Sequence, residues 1–292
     1  PIAWPNGDEA TMVVFGDRLL MLSSYRKIGG GEMYLRVHDL VTSNEISRFG
    51  QDFSFACGFV NGKELNMFAT KTSEKEWTKD VHRFRTTDLK TWKKEMVLPR
   101  IGKKHILNTS VCKDPKGFLM AYESDGPTGW ETWLARSRDL SKWDRTNGLR
   151  FIGVVFANPT IRYVAPYHYL MFGTHRTAPP ITDYEYHLDS TRYVTALMRS
   201  KDLVTWELSP TKYPMLDAAV GEGINNTDAD LFEYQGHAYI YYITGDQKTW
   251  GAGRLAMYAG TMKQCLEAHF PANIPMVKYD ARKAKFTYPK KK

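Results

Sequence analysis

One phrase is written three times along this chain: Thr87-Asp88-Leu89-Lys90-Thr91-Trp92, Ser137-Arg138-Asp139-Leu140-Ser141-Lys142-Trp143 and Ser200-Lys201-Asp202-Leu203-Val204-Thr205-Trp206. Val37-His38-Asp39-Leu40 is a degenerate fourth copy. The aspartates stand at 39, 88, 139 and 202, so the copies recur every 49, 51 and 63 residues, at or just above the length of one propeller blade. A unit of that size cannot bury its own apolar face, so repeats of it must stack on one another.

A second series runs through the same chain independently: an apolar run, a turn and another apolar run, five times over. The turns are Gly16-Asp17, Asn61-Gly62, Asp114-Pro115-Lys116-Gly117, the segment around Pro166, and Gln235-Gly236. The flanking runs are rich in Val, Phe, Tyr, Ile and Met, and each set reads as a hairpin of two strands. In the first four units another strand, such as Trp133-Leu134-Ala135, and then the Asp-Leu turn follow. Hairpin, third strand, turn and closing segment make a four-stranded blade, and five units in 292 residues average about 58 each. The expected fold is therefore all-β, a five-bladed β-propeller forming a single domain over 1–292, with a short C-terminal extension from about residue 261. Blades should begin near Asp8, Ser54, Asn108, Asn158 and Asp228. Helical periodicity is confined to Thr261–His269, which stops before Pro271. A β-sandwich, the alternative all-β architecture, does not explain one motif returning at blade length.

Composition narrows the function classes. With 42% hydrophobic and 25% charged residues the chain is in the ordinary globular band, and no run approaches the ~18 uninterrupted apolar residues of a membrane span. Pro1-Ile2-Ala3-Trp4-Pro5 is not a signal peptide; a secreted or periplasmic location would follow from a leader already trimmed. Cys57, Cys112 and Cys265 are too scattered for a disulfide framework or a zinc site and read as small buried hydrophobes. The formal charge of +8 suits an acidic polysaccharide, but the basic residues are not interleaved with stacking aromatics, which argues against nucleic acid.

In a propeller the inner strands start around one mouth of the central channel, so equivalent positions of distant blades meet there. Counting back eight residues from each hairpin turn gives Asp8, Ser54, Thr109, Asn158 and Asp228; one residue of latitude adds Glu9 and Asn108, and strand alternation adds Asp230. The second strand of each hairpin returns to the same mouth with Tyr25-Arg26, Thr70-Lys71, Glu123-Ser124-Asp125, His175-Arg176 and Asp246-Gln247. Asp183, Tyr184, Glu185 and His187 follow His175, and Glu222 precedes the fifth blade. Trp130 and Trp250 flank this ring, and an aromatic face is a good platform for a sugar. The candidate catalytic carboxylates are Asp8, Glu9, Glu123, Glu222 and Asp228, with Asn108, Asn158, Trp130, His175, Asp246 and Trp250 as substrate contacts.

Paired carboxylates suit glycoside cleavage: one, protonated, assists the leaving oxygen, and the other, ionised, activates water or attacks the sugar. Glu123 is the expected acid, because the apolar strand that carries it would desolvate its carboxyl. Each candidate also has a structural reading. Asp88, Asp139 and Asp202 cap the repeated turn, and Asp17, Asp114 and Asp144 are turn or surface residues. Asp230 could equally bind backbone amides in the channel. No cofactor is required by this chemistry, although Asn226, Asp228 and Asp230 offer oxygens suited to a structural calcium or other divalent cation.

The blade endings at 137–143 and 200–206, Ala121-Tyr122-Glu123-Ser124-Asp125, and Asn226-Thr227-Asp228-Ala229-Asp230-Leu231-Phe232-Glu233-Tyr234 resemble the five-bladed propeller glycosidases. That group contains glycoside hydrolase families 32, 43, 62, 68 and 117, and the resemblance covers about Asp8 to Trp250. In family 43 it would imply a blade-one Asp as base, a blade-three Asp tuning the acid, and a blade-four Glu as acid. Here the first maps to Asp8 or Glu9, while the other two fall on Asn108 and Asn158. An asparagine cannot give and recover a proton, so the acid has moved if the chain is a hydrolase, with Glu123 or Glu222 the substitutes. Two functions follow for testing: a glycoside hydrolase acting on an oligo- or polysaccharide, or a non-catalytic propeller that binds glycan or protein.

Overall fold

The computed structural model describes residues 9–26, 31–72, 78–126, 129–152, 156–175, 193–210, 214–217, 219–246 and 251–289. Five antiparallel sheets follow one another along the chain. Blade 1 holds β1 (Ala10–Phe15), β2 (Arg18–Arg26), β3 (Met33–Asp39) and β4 (Glu45–Phe49). Blade 2 holds β5 (Phe53–Asn61), β6 (Glu64–Lys71), β7 (Val81–Thr86) and β8 (Lys93–Leu98). Blade 3 holds β9 (Ile106–Asp114), β10 (Gly117–Gly126), β11 (Gly129–Ser137) and β12 (Asp144–Phe151). Blade 4 starts with β13 (Ala157–Val164), β14 (Tyr167–His175), β15 (Tyr193–Ser200) and β16 (Thr205–Leu208); blade 5 has β17 (Asn225–Tyr234), β18 (His237–Gly245) and β19 (Gly253–Tyr258). The inner strands β1, β5, β9, β13 and β17 touch in succession, and β17 touches β1, so the ring closes as a five-bladed β-propeller.

The last segment does not complete blade 5. Helix α1 (Met262–Ala268) starts at Thr261, whose hydroxyl accepts from the Gln264 amide while the Gln264 side chain returns to the Thr261 amide, and ends at His269. The chain then adds β20 (Val277–Asp280) and β21 (Lys285–Thr287) to the outer edge of blade 4, making a six-stranded sheet beside a three-stranded one.

The repeated phrase is a turn with the same wiring in each copy. The hydroxyls of Thr86, Ser137 and Ser200 accept from the amides of the Asp and Leu that follow, and the Oδ1 atoms of Asp88, Asp139 and Asp202 accept from the amides two and three residues on. Leu89, Leu140 and Leu203 make the tight reversal with φ near 62 to 66°, and bury their side chains in the seam with the preceding blade. The tryptophans finish the same seams: Trp92 stacks on Phe49 at 3.8 Å, Trp143 meets Phe68 at 5.9 Å, and Trp206 meets Phe151 at 5.1 Å. A fully buried aromatic removes roughly 150–250 Å² from water, about 4–6 kcal/mol at ~25 cal/mol/Å² as an upper bound. Between blades 5 and 1 the degenerate copy supplies Leu40 but no tryptophan, and blade 5 has no fourth strand among the described residues; an apolar crevice lined by Leu40, Val41, Phe232, Tyr239 and Leu255 remains there.

Candidate active site

Hairpin register defines which residues are equivalent. Counting from each turn, the fifth pair is Thr11–Leu22, Cys57–Phe68, Ser110–Ala121, Thr160–Met171 and Asp230–Tyr241. In blades 2 to 5 the ladder then slips, setting two residues against one: a β-bulge at 55–56, 108–109, 158–159 and 228–229. The first residue of each bulge has left-handed φ, 55° at Phe55, 47° at Asn108, 51° at Asn158 and 54° at Asp228. Asparagine and aspartate tolerate this region best, which is one local reason for their presence here. Glu9 stands at the matching distance from the first hairpin.

The channel is thus lined in layers. Glu9, Asn108, Asn158 and Asp228 form its upper wall, Ala10, Ala56, Thr109, Pro159 and Ala229 the next, and Thr11, Cys57, Ser110, Thr160 and Asp230 the deepest. The count of eight gives Ser54 and Thr109 where the structure has Phe55 and Asn108, because it starts at Gly62 and Gly117, whereas the unpaired loop residues are 62–63 in blade 2 and 115–116 in blade 3.

Three carboxyl groups share this mouth in different environments. Glu9 accepts from Arg26 Nη2 at 3.0 Å, with both side chains largely buried. Asp228 is half-buried; desolvation first, and then the charge of Glu9, push its pKa up to about 8, against a 3.0 Å hydrogen bond from Thr227. Glu123 is 2% exposed and its pKa is pushed up to about 7 by burial, although its Oε2 accepts from Asn158 N–H at 2.9 Å and Asn108 Nδ2 at 2.8 Å. Asn108 also donates to the Asn158 side-chain oxygen. Contrary to expectation, Glu123 does not line an open pocket; it lies behind that wall, fixing the two asparagines that face the channel.

The floor is an ion pair. Arg162 binds Asp230 through Nη2, Leu231 O through Nε at 2.8 Å and Ser110 Oγ through Nη1 at 3.2 Å, while the Met12 amide donates to the other Asp230 oxygen at 3.2 Å. Burial raises the Asp230 pKa and the arginine opposes it. One guanidinium thereby ties blades 3, 4 and 5 together below the mouth. Asp230 is committed to this pair and Asn226 reaches Glu222 instead, so these two do not join Asp228 as a cation cage; among the described residues no group of three or more His, Cys, Asp or Glu is placed to hold a metal.

Glu222 departs from its expected role. Its carboxylate accepts from Tyr242 Oη at 2.9 Å, Ala219 N at 3.0 Å and Asn226 Nδ2 at 3.4 Å, so it organises its own loop and is not part of the channel wall. Burial and then the Glu222 contact push the Tyr242 pKa up to about 12. Trp130 is the second residue of β11, half-buried, its ring 6.4 Å from that of His105. Asp246 is exposed just beyond β18. His175 closes β14. Asp8, Trp250 and the Asp183, Tyr184, Glu185 and His187 group lie outside the described residues. Sequence reasoning missed Phe55 as the blade-2 member of the bulge ring and Arg162 as the partner of Asp230, and did not give Arg26 a role; an arginine inside an inner strand, as Arg162 is, was the available signal for the floor.

Neither a protein-family profile nor a curated protein sequence matches the chain. Solved structures do match in fold. A thermostable family-43 glycoside hydrolase aligns with a TM-score of 0.65 at 10% identity over 88% of this chain and 90% of its own. A Bombyx mori family-32 β-fructofuranosidase gives 0.61 at 12% identity over 88% and 64%, and a native Bacillus subtilis arabinanase 0.58 at 12% over 87% and 94%. The chain has the five-bladed propeller fold of these glycoside hydrolases.

Proposed function

We propose that the chain is a glycoside hydrolase that cleaves an oligo- or polysaccharide at the channel mouth, with Asp228 and Glu9 as its two working carboxyls. The observation that carries the reading is the pair itself: two carboxyls from blades 5 and 1 line one opening, the one at Asp228 with its pKa raised by burial and the one at Glu9 paired with an arginine. Asp228, protonated at neutral pH, donates to the departing glycosidic oxygen; Glu9, paired with Arg26, either takes a proton from the attacking water or attacks the anomeric carbon. Glu123 supports the site from behind through Asn108 and Asn158. The scheme uses side chains alone and calls for no cofactor. The charge of +8 suits an acidic glycan as substrate.

Asn108 and Asn158, at positions where the resemblance implies acids, favour the second reading, a propeller that binds glycan without cutting it. One screen separates the two: aryl glycosides and depolymerised neutral and acidic polysaccharides, assayed for released reducing sugar and, in parallel, for binding. Turnover lost in both Glu9→Gln and Asp228→Asn supports the hydrolase. Saturable glycan binding with no reducing sugar released supports the binding module.

A further inference from the structure

Phe55 is the odd member of the mouth ring. Asparagine and aspartate can answer a left-handed backbone with local hydrogen bonds, but a phenylalanine has no such compensation, so its φ of 55° marks a strained position. What the strain secures is the placement of a ring. Phe55 is 4% exposed, and the guanidinium of Arg26 lies 4.5 Å above its centroid. Arg26 ends β2, and its Nη2 is 3.0 Å from Glu9 Oε1. The guanidinium therefore sits over the ring of blade 2 while its Nη2 meets the carboxylate of blade 1. Arginine alone among the cations serves both geometries at once.

Without the ring, a long and flexible side chain would lose orientation entropy each time it met Glu9. With it, the donor is already placed. Among the described residues, charged and titratable groups that act on Glu9 include Arg26 from β2, Asp228 from β17 and Glu123 from β10. Two of these are acids, which when ionised disfavour a negative charge on Glu9, whereas the arginine 3.0 Å away favours it.

We propose that Arg26, clamped by Phe55, is the positioning residue of the mouth: it fixes the Glu9 carboxylate and makes it the carboxyl that carries the negative charge. The kinetic part of this inference rests on the hydrolase reading, whereas the charge on Glu9 does not.

The test is a carbon-13 NMR titration of protein labelled in its glutamate carboxyls, with the Glu9 signal identified by its loss in Glu9→Gln. Arg26→Met should move the Glu9 midpoint upward by about one pH unit or more, since an adjacent arginine holds a carboxylate down by ~1–3 units. Arg26→Lys should restore part of that shift, and Phe55→Leu should move the midpoint the same way as Arg26→Met but less. In the kinetic arm the acid limb of kcat/KM should follow the same displacement. An unchanged Glu9 midpoint in Arg26→Met overturns the inference; if that variant does not fold, unchanged midpoints in both Arg26→Lys and Phe55→Leu overturn it. Absence of turnover in the wild type defeats the hydrolase reading and leaves the titration to decide this one.

Discussion

The repeated turns and the mouth ring are both sets of equivalent positions, yet they repeat opposite things. At the turns, Thr86, Ser137 and Ser200, then Asp88, Asp139 and Asp202, keep residue type and hydrogen bonds together. At the mouth, Phe55, Asn108, Asn158 and Asp228 keep the backbone, a bulge with left-handed φ, and vary the side chain. A turn has one task in every blade, so one solution is copied. A mouth has one task for the whole ring, so its positions divide the work. Sameness within a repeat marks what holds the fold, and difference on a constant backbone marks where the chemistry sits.

The sharpest way to break this comparison is to remove the proton at one mouth position. Asp228→Asn keeps the shape and the left-handed preference, yet an amide cannot act as an acid. Turnover of a substrate with a poor leaving group should fall on the order of 10²- to 10⁴-fold, about 3–5 kcal/mol of barrier. An activated aryl glycoside should lose far less. Equal losses on the two substrates would move Asp228 from acid to another role.

On the structural side, Trp206→Ala should cost about 3–5 kcal/mol of stability, as truncation of a fully buried aromatic does. Trp92 is only half-buried, so Trp92→Ala should cost less. Denaturation midpoints measure both, and neither variant should alter KM at temperatures where it stays folded. The seam between blades 5 and 1, which holds no tryptophan among the described residues, is the built-in control.

Glu123→Gln tests the layer behind the ring. The folded pKa of Glu123, about 7, lies above the ordinary value of 4.5, so its contribution to stability is fully present below about 4.5 and is lost as pH rises through 7. The glutamine variant has no such loss. Its stability relative to wild type should therefore increase between pH 4.5 and 7, by a few kcal/mol on the order-of-magnitude scale of such shifts. A pH-independent difference in thermal unfolding would mean that Glu123 titrates as in the unfolded chain.

How much could be read beforehand follows from the same contrast. The Asp-Leu turns and hairpins point to five blades, their starts within a few residues, and the helix after Thr261, because each depends on local pattern. Glu9, Asn108, Asn158 and Asp228 were also within reach, since the count from the turns needs only the strand period. The bulge was not, since an unpaired residue leaves no trace in alternation; and the count points to Ser54 in place of Phe55 because the exact loop residues, 62–63, are fixed only by the strand pairing. Glu123 is locatable from its strand but its exposure is not, because the wall of Asn108 and Asn158 that covers it comes from two different inner strands, and only tertiary packing brings them together. Glu222 escapes for a similar reason, its partner Tyr242 lying 20 residues away on the neighbouring strand.

The smallest expected effect is at the turns, and it is the one that most directly opposes Asp139 to Asp228. Asp139 is an exposed aspartate whose Oδ1 accepts from the amides of Ser141 and Lys142 at 2.9 Å and from the Ser137 hydroxyl at 3.1 Å. Those backbone hydrogen bonds lower its pKa, whereas burial raises that of Asp228. Asp139→Ala removes the acceptor and leaves two amides to water, so it should cost about 1 kcal/mol, the usual loss when an aspartate cap becomes alanine. Because the folded pKa is depressed, the cap stabilises above the unfolded pKa and loses its effect as pH falls through the folded one; the difference from wild type should shrink in acid. Denaturant midpoints at neutral pH and at low pH, with an unchanged m-value, measure both statements. Catalysis should stay within about twofold at neutral pH, since the turn lies at the opposite end of its blade from the bulge. A large loss of activity with intact stability would show that the repeated turns reach the chemistry after all, and the division of labour between copied and varied positions would fail.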